Sequence, residues 1–486
     1  MNSFDEIEEI KNRFQKGKEY NPYISFIKFC SYKNLVPESE LIFEFPLTLL
    51  IGKNGTNKSS ILHALYGCPE GNSTGEYWFE SYVDLIKQRS VYWYKYISDE
   101  AGQEVEVAKS RIKKQSPKYK LIDSSYWEPT RPLVDFGMKP IQEIKEGDPI
   151  PPGRSKTRWN AIKKKVIYLD FRSEISAFDR AFYFDSKGGG SRPKQRRYLF
   201  KRSKLLKNAL DKKLKSKTYY GKEKISEHYN FSIEELQVAS DILDIKYSDI
   251  TYIEHDFYNL GGFSIYINKD LNDEKYSEAF AGSGEASVIR LIYAIENAKN
   301  RALILLDEPE TSLHIGAQIK LQKYILKKIT EKKLQVILST HSPYFATGLP
   351  DCAIKLLISN PGLDNKIQII NSAVASESSF HLGYTYQDKE KLYIYVEDSL
   401  SKYIVTYVQK KLLNDSKRDR ISIEIYPGGT SSMVSFAAMM SSGKVRNSIF
   451  LFDGDFKKEE IPEDEKILVK KVLGYFGEYR VYSWFK

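Results

Sequence analysis

The sequence predicts an α/β chain of more than one domain, and three observations carry the prediction. The apolar run "LIFEFPLTLLIG" stops at a glycine-containing loop and is followed at once by an amphipathic helical pattern, "SSILHALYG". Far downstream, "RALILLDE" and "QVILSTH" are two more short apolar runs, each ending in polar residues able to do chemistry. Near the end, "KLYIYVEDSLSKYIVTYVQKKL", "ISIEIYPGGTSSMVSFAAMM" and "NSIFLFDGDF" alternate strand and helix patterns, which implies a second, smaller parallel sheet.

The first element turns on residues 51–65, "IGKNGTNKSSILHAL". Its spacing is that of the phosphate-binding pattern G-x-x-x-x-G-K-[ST], with Gly52, Lys58 and Ser59 in place and Asn57 where the second glycine belongs. Such a loop curls its N–H groups round a phosphate, so some positions need a positive φ. Asparagine tolerates that conformation best among residues with a side chain. Gly55 keeps the middle of the loop free. A strand, a loop and a helix N-terminus then aim backbone donors and the helix dipole at one point.

Residues from about 70 to 165 read as irregular, with aromatics such as "VYWYKY", prolines and charges mixed. "VIYLDFRSE" from Val166 is again a short strand. Ser186 to Lys217 carries thirteen basic residues against one acid, Asp211. It begins as a glycine-rich loop and reads as a helix from about Arg197, with Leu199, Leu205, Leu206, Leu210 and Leu214 as its apolar stripe. That charge suits contact with DNA phosphates, and equally a solvated basic face. "FSIYINK", Phe263 to Lys269, is a strand. No heptad array or internal repeat is present.

"RALILLDEPETSLH" delivers Asp307 and Glu308 at a strand end, where one carboxylate can hold Mg²⁺ and the next can polarise an attacking water. "QVILSTHSPYF" delivers His341 in the same way, where it could contact a γ-phosphate or equally serve as a structural cap of the strand. "AFAGSGEASVIRLIYAI" sets Gly282, Ser283, Gly284 and Glu285 before a helix, a further anion site.

Composition bounds the rest. At 486 residues the chain holds two or three domains, with 41% hydrophobic residues to fill their cores. A charged fraction of 28% and a mean hydropathy of −0.46 predict a soluble protein without a membrane partner. No apolar run approaches the roughly 20 residues of a membrane span. The polar start "MNSFDEIEEIKNRF" is not a signal peptide, and Cys30, Cys68 and Cys352 form no zinc or disulfide pattern. A reducing cytoplasm is therefore expected. The net charge of +10 suits a polyanionic partner.

The four motifs, in this order and spacing, resemble the ATP-binding-cassette ATPases, specifically their SMC-like DNA-repair branch. The resemblance implies an ATPase head over 1–350, with an insertion at about 70–260 that includes the basic segment 187–217. It implies that Gly52, Asn54, Gly55, Asn57, Lys58, Ser59 and Ser60 bind ATP, with Ser59 and Asp307 serving Mg²⁺. Glu308 becomes the hydrolytic carboxylate and His341 the γ-phosphate sensor. Ser283 and Gly284 become the contact made across a head-to-head homodimer glued by ATP.

After a linker at 351–390, the tail at 391–486 ends two strands in acids, Glu397-Asp398 and Asp453-Gly454-Asp455. Three carboxylates at one sheet edge would bind Mg²⁺ or Mn²⁺ for phosphodiester chemistry. The arrangement resembles a Toprim domain, here a short one. An SMC-like ATPase followed by Toprim resembles the overcoming-lysogenisation-defect (OLD) family of ATP-dependent nucleases, found in bacterial anti-phage systems. By that resemblance Glu397, Asp453 and Asp455 are the catalytic and metal-binding acids, and DNA is the substrate. A higher oligomer, and a second defence-system protein or nucleoprotein, are further partners it implies. The family's E-G-x-x-D motif reads "EDSLS" here, with Asp398 for glycine and Ser401 for aspartate, and the basic residue expected after D-x-D falls on Lys486. A second reading therefore stands beside the first: a DNA-clamping ATPase whose Toprim-like tail is a non-catalytic scaffold for a partner.

Overall fold

A computed structural model describes residues 3–16, 18–86, 89–115, 122–142, 144, 147–185, 191–269, 275–375, 382, 392–413, 418, 421–426, 433–434, 437, 448–452 and 482–483. The chain divides into two compact units, Met1–Gly383 and Tyr384–Lys486. Each is α/β in character.

The first unit is organised by a six-stranded sheet. Its order is Lys366–Ile370, Ile354–Asn360, Leu47–Gly52, Gln335–Thr340, Leu303–Asp307, Val166–Asp170. All neighbours are parallel except the edge strand Lys366–Ile370, which runs antiparallel to Ile354–Asn360. Leu47–Gly52, Leu303–Asp307 and Gln335–Thr340 are buried at every residue. Burial on both faces explains why they read as continuous apolar runs rather than as an alternation.

A second sheet in this unit is antiparallel, in the order Ser39–Ile42, Ile24–Ser31, Val91–Ser98, Gln103–Gln115, Ile122–Thr130. Gln335, fully buried, joins it to the first: its side-chain amide accepts from Ile24 N at 3.1 Å and donates to Ile24 O at 2.8 Å. One amide thus stands in for a step of strand pairing between the sheets. A third sheet orders Ile225–Asn230, Tyr247–His255, Gly262–Lys269 and Lys275–Ser277.

Several sequence expectations change here. "LIFEFPLTLLIG" is not one strand but two, Ser39–Ile42 in the antiparallel sheet and Leu47–Gly52 in the parallel one. Pro46 lies at the changeover, where it has no N–H to offer a ladder. The stretch taken as irregular contains three strands, because Val91–Ser98 is buried on both faces and shows no alternation. The basic helix spans Arg192–Asp211, starting five residues before the expected Arg197, with Pro193 in a first turn where a missing N–H costs nothing. Of the expected apolar stripe, Leu199 and Leu206 are buried, Leu205 and Leu210 are half-buried, and Leu214 lies beyond the helix end, while Ala209 is also buried.

In the second unit four strands are parallel, ordered Ile421–Ile425, Leu392–Val396, Ser448–Phe452, Tyr482–Ser483. The helix Ser399–Leu412 follows the second of these in the sheet. No described helix is long and apolar enough to cross a membrane.

Candidate functional site

Register places the motifs together. Asp307 lies opposite Ser339 on one side and Asp170 on the other, and Thr340 lies opposite Ile51. The carboxyl ends of four parallel strands therefore open onto one edge, where an α/β sheet binds its ligands.

The loop 52–59 is curled as its sequence demands. A Cβ on Gly52 would sit 2.5 Å from Thr56 Oγ1 and 2.7 Å from Leu357 O, so only glycine fits. Gly55 has φ 79°. Asn57 has φ 64° and ψ 20°, the left-handed conformation anticipated for it, and precedes the helix Lys58–Tyr66. Lys58 is buried, and its ammonium donates to Gly52 O at 2.8 Å and Lys53 O at 3.1 Å. Burial pushes its pKa down to about 8, although Glu308, Asp307 and Glu310 pull the other way. Asn54 is exposed, whereas Ser60 is buried and its carbonyl accepts from Tyr32 Oη at 2.8 Å. Beside the loop, Asn34, Lys53, Asn54, Ser359 and Asn365 help to line a cavity of about 360 Å³.

The acids face this loop. Asp307 is wholly buried, and its carboxylate accepts from Ser339 Oγ, from Tyr168 Oη at 3.2 Å and from Arg172 Nη2 at 2.8 Å. The same Nη2 donates to Ser59 Oγ at 3.0 Å. Ser59 and Asp307, the two expected Mg²⁺ ligands, thus converge on a single positively charged nitrogen. That convergence fits them to a divalent cation. Glu308 takes φ 56°, with its N–H bonded to Ser339 O and Ser339 Oγ. Its carboxylate lies 3.3 Å from His341 Nε2, which in turn lies 2.9 Å from Lys58 Nζ. Burial and the Lys58 charge lower the His341 pKa, with Glu308 opposing. A neutral ring can accept from Lys58 at Nε2 or donate from it to Glu308, but not both.

Ser283 and Gly284 begin the helix Ser283–Glu296 rather than preceding it. Ser283 is exposed, and a Cβ on Gly284 would meet Ser312 O at 2.5 Å. Among the described hydrogen bonds, neither residue joins the Lys58–Asp307–Glu308–His341 cluster. Glu285 is buried: burial raises its pKa, but Tyr276, Tyr247 and Lys269 outweigh that and lower it. It anchors the helix rather than facing solvent.

Sequence reasoning did not single out Arg172, Tyr168, Ser339 or Glu310 for these contacts. Glu310 accepts from Thr340 Oγ1 at 2.7 Å and from His341 N at 2.6 Å, fixing the turn that carries the histidine. Arg172 and Tyr168 lie in "VIYLDFRSE", a strand read only for its apolar run; its place beside the Asp307 strand gives them their importance.

In the second unit the strand before Glu397 ends at Val396, which pairs with Leu451. Asp398 caps the next helix, its Oδ1 accepting from Ser401 N at 2.7 Å. Asp453, Asp455 and Lys486 lie outside the described residues. Among the described residues no three His, Cys, Asp or Glu side chains are grouped to hold a metal.

Comparison with known proteins bears on the first unit. Residues 186–346 match the family model described as "AAA ATPase domain". The match includes Asp307, Glu308 and His341, while the loop at residues 52–59 lies upstream of it. No curated protein matches the chain. Among solved structures, an SMC head bound to the C-terminal winged-helix domain of ScpA is 13% identical, covering 72% of this chain and 97% of its own, at a TM-score of 0.39. The SMC head domain from Thermotoga maritima is 12% identical, covering 72% and 99%, at 0.33. An SMC head with an extended coiled coil, bound to the C-terminal domain of ScpA derived from Pyrococcus furiosus, is 12% identical, covering 74% and 98%, at 0.38.

Proposed function

We propose that the chain binds and hydrolyses Mg·ATP at the edge formed by residues 52–59, Asp307, Glu308 and His341, and that ATP-driven pairing of two copies gates DNA cleavage by a Toprim-like second unit in anti-phage defence. One observation carries the ATP reading: Ser59, in the first turn of the helix Lys58–Tyr66, and Asp307, at a strand end, converge on one point beside a curled loop whose lysine is buried. Lys58 is placed to follow the phosphates, Glu308 to polarise water, and His341 to report on the terminal phosphate through its contacts with both. A Mg²⁺ held by Ser59 and Asp307 would neutralise phosphate charge. The cavity of about 360 Å³ beside the loop has room for the rest of the nucleotide. Lys58→Ala should abolish ATP binding, measured by fluorescent-nucleotide titration; unchanged affinity would rule out the loop.

Support for DNA comes from the helix Arg192–Asp211, whose Arg196, Arg197 and Lys201 are exposed. Arg202 is instead held over the rings of Tyr198 and Tyr219, at 5.6 Å and 5.5 Å. Changing Arg196, Arg197 and Lys201 to glutamine should flatten the salt dependence of DNA binding by about one counterion per charge removed.

The scaffold reading of the second unit has an observation of its own. Asp398 and Ser401, the two departures from E-G-x-x-D, form a helix cap, a structural use that needs no metal. Supercoiled plasmid incubated with the protein and Mg²⁺ or Mn²⁺, with and without ATP, separates the two readings.

A further inference from the structure

We propose that Arg172 is a built-in counter-cation of the phosphate site: it holds the divalent-ion position in the nucleotide-free protein and yields it when Mg²⁺ arrives with ATP. This rests on the Mg·ATP reading above and adds to it a device that controls when the ion can enter.

The geometry is that of a fork laid over oxygens. Nη2 donates to Ser59 Oγ at 3.0 Å and to Asp307 Oδ2 at 2.8 Å, while Nε donates to Asp170 Oδ1 at 3.1 Å. Nη1 lies 3.6 Å from Glu308 Oε1. Three carboxylates and a hydroxyl from three chain segments thus share one guanidinium. Lys58 is turned toward the loop carbonyls and His341, so among the described residues Arg172 is the cation that meets both Ser59 and Asp307.

Two positive groups cannot occupy that point together, so a metal ion must displace Nη2. The displacement is local. The backbone on either side is fixed: Phe171 N donates to Asp307 O at 3.1 Å, and Ser173 N and Glu174 N each donate to Asp170 O at 2.9 Å. The side chain itself is 46% exposed, so it can rotate outward without opening the core. Asp170, two residues back, remains as its pivot. From there the released guanidinium faces the edge where the phosphates bind, and its fork geometry suits phosphate oxygens. Mg²⁺ alone must compete with a tethered arginine; Mg²⁺ carried by ATP brings anionic oxygens that accept the arginine in exchange.

The test uses the full chain and reads metal rather than turnover. Fluorescent ATP is titrated while Mg²⁺ is varied, for wild type, Arg172→Gln and Arg172→Lys. Arg172→Gln should lower the Mg²⁺ concentration at half-effect by about three- to tenfold, and should let Mg²⁺ alone raise the melting temperature. Arg172→Lys, which keeps the charge, should stay close to wild type. Mn²⁺ followed by electron paramagnetic resonance tests the wild type directly: no Mn²⁺ that Asp307→Asn removes should bind until ADP is added. An unchanged Mg²⁺ half-effect in Arg172→Gln, or Asp307-dependent Mn²⁺ binding without nucleotide, overturns the counter-cation while Lys58-dependent Mg·ATP binding persists. If wild type binds no nucleotide and Lys58→Ala changes nothing, the reading beneath it falls as well.

Discussion

Asp307 and Glu397 occupy comparable places, each at the carboxyl end of an apolar strand inside a parallel sheet. Around Asp307 the neighbouring strands reach across: Ser339, Tyr168 and Arg172 all bond its carboxylate. Beside Glu397, Asp398 turns back to cap the helix of its own segment. An acid at a strand end is a common way to stop a strand. Residues from neighbouring segments converge on Asp307, and such convergence is what a site needs.

The sharpest way to test the contrast is to remove one acid from each unit. Glu308→Gln should slow ATP hydrolysis by about 10²–10³-fold and leave nucleotide affinity near wild type, measured by phosphate release and titration. A small effect would make the first edge a structural cluster. Asp453→Ala should lower metal-dependent cleavage of plasmid by about a hundredfold, with hydrolysis unchanged. Intact cleavage, or none in wild type, would keep the second edge on the structural side of the comparison.

Smaller effects probe the loop and the core beneath it. Asn57→Gly should be nearly neutral, whereas Asn57→Val puts a branched side chain at φ 64° and should cost about 1–3 kcal/mol of stability, with weaker ATP binding. Denaturant melts of both variants decide it. Lys164 gives the smallest effect. It is buried, donates to Pro22 O at 2.6 Å, and burial lowers its pKa to about 7. The unfolded lysine keeps its proton to about pH 10.4, so between these values the unfolded chain binds more protons and stability rises with pH. Below pH 7 both states are protonated and the burial cost is felt in full. Lys164→Met should therefore reduce the rise in melting temperature between pH 7 and pH 9. Buried Lys355, with its pKa lowered to about 8, leaves part of the rise in place.

The sequence revealed the loop, the two strand-end motifs and the second sheet because each is local: a spacing, an apolar run, a turn residue. Asn57 was legible for the same reason, since its conformation follows from one side chain. Arg172 was not. Nothing in "DFRSE" shows that its strand lies beside Leu303–Asp307, a neighbour more than a hundred positions on. The aromatic strand Val91–Ser98 was missed because burial on both faces removes the alternation that marks a strand. Arg202 looked equivalent to its basic neighbours until the rings of Tyr198 and Tyr219 came against it.

Gln335 bonds Ile24 across 311 positions of sequence, and Leu47–Gly52 finds its sheet neighbours only at Gln335–Thr340 and Ile354–Asn360. On a ribosome the phosphate loop emerges early, attached to an apolar strand with no partner. At roughly 5–20 residues per second, that strand waits tens of seconds for the segments that flank it. Such high contact order slows folding and leaves a sticky edge open during synthesis. The edge that carries residues 52–59 is thus completed late in synthesis, and a chain interrupted before residue 335 has that loop but neither of the strands that flank Leu47–Gly52.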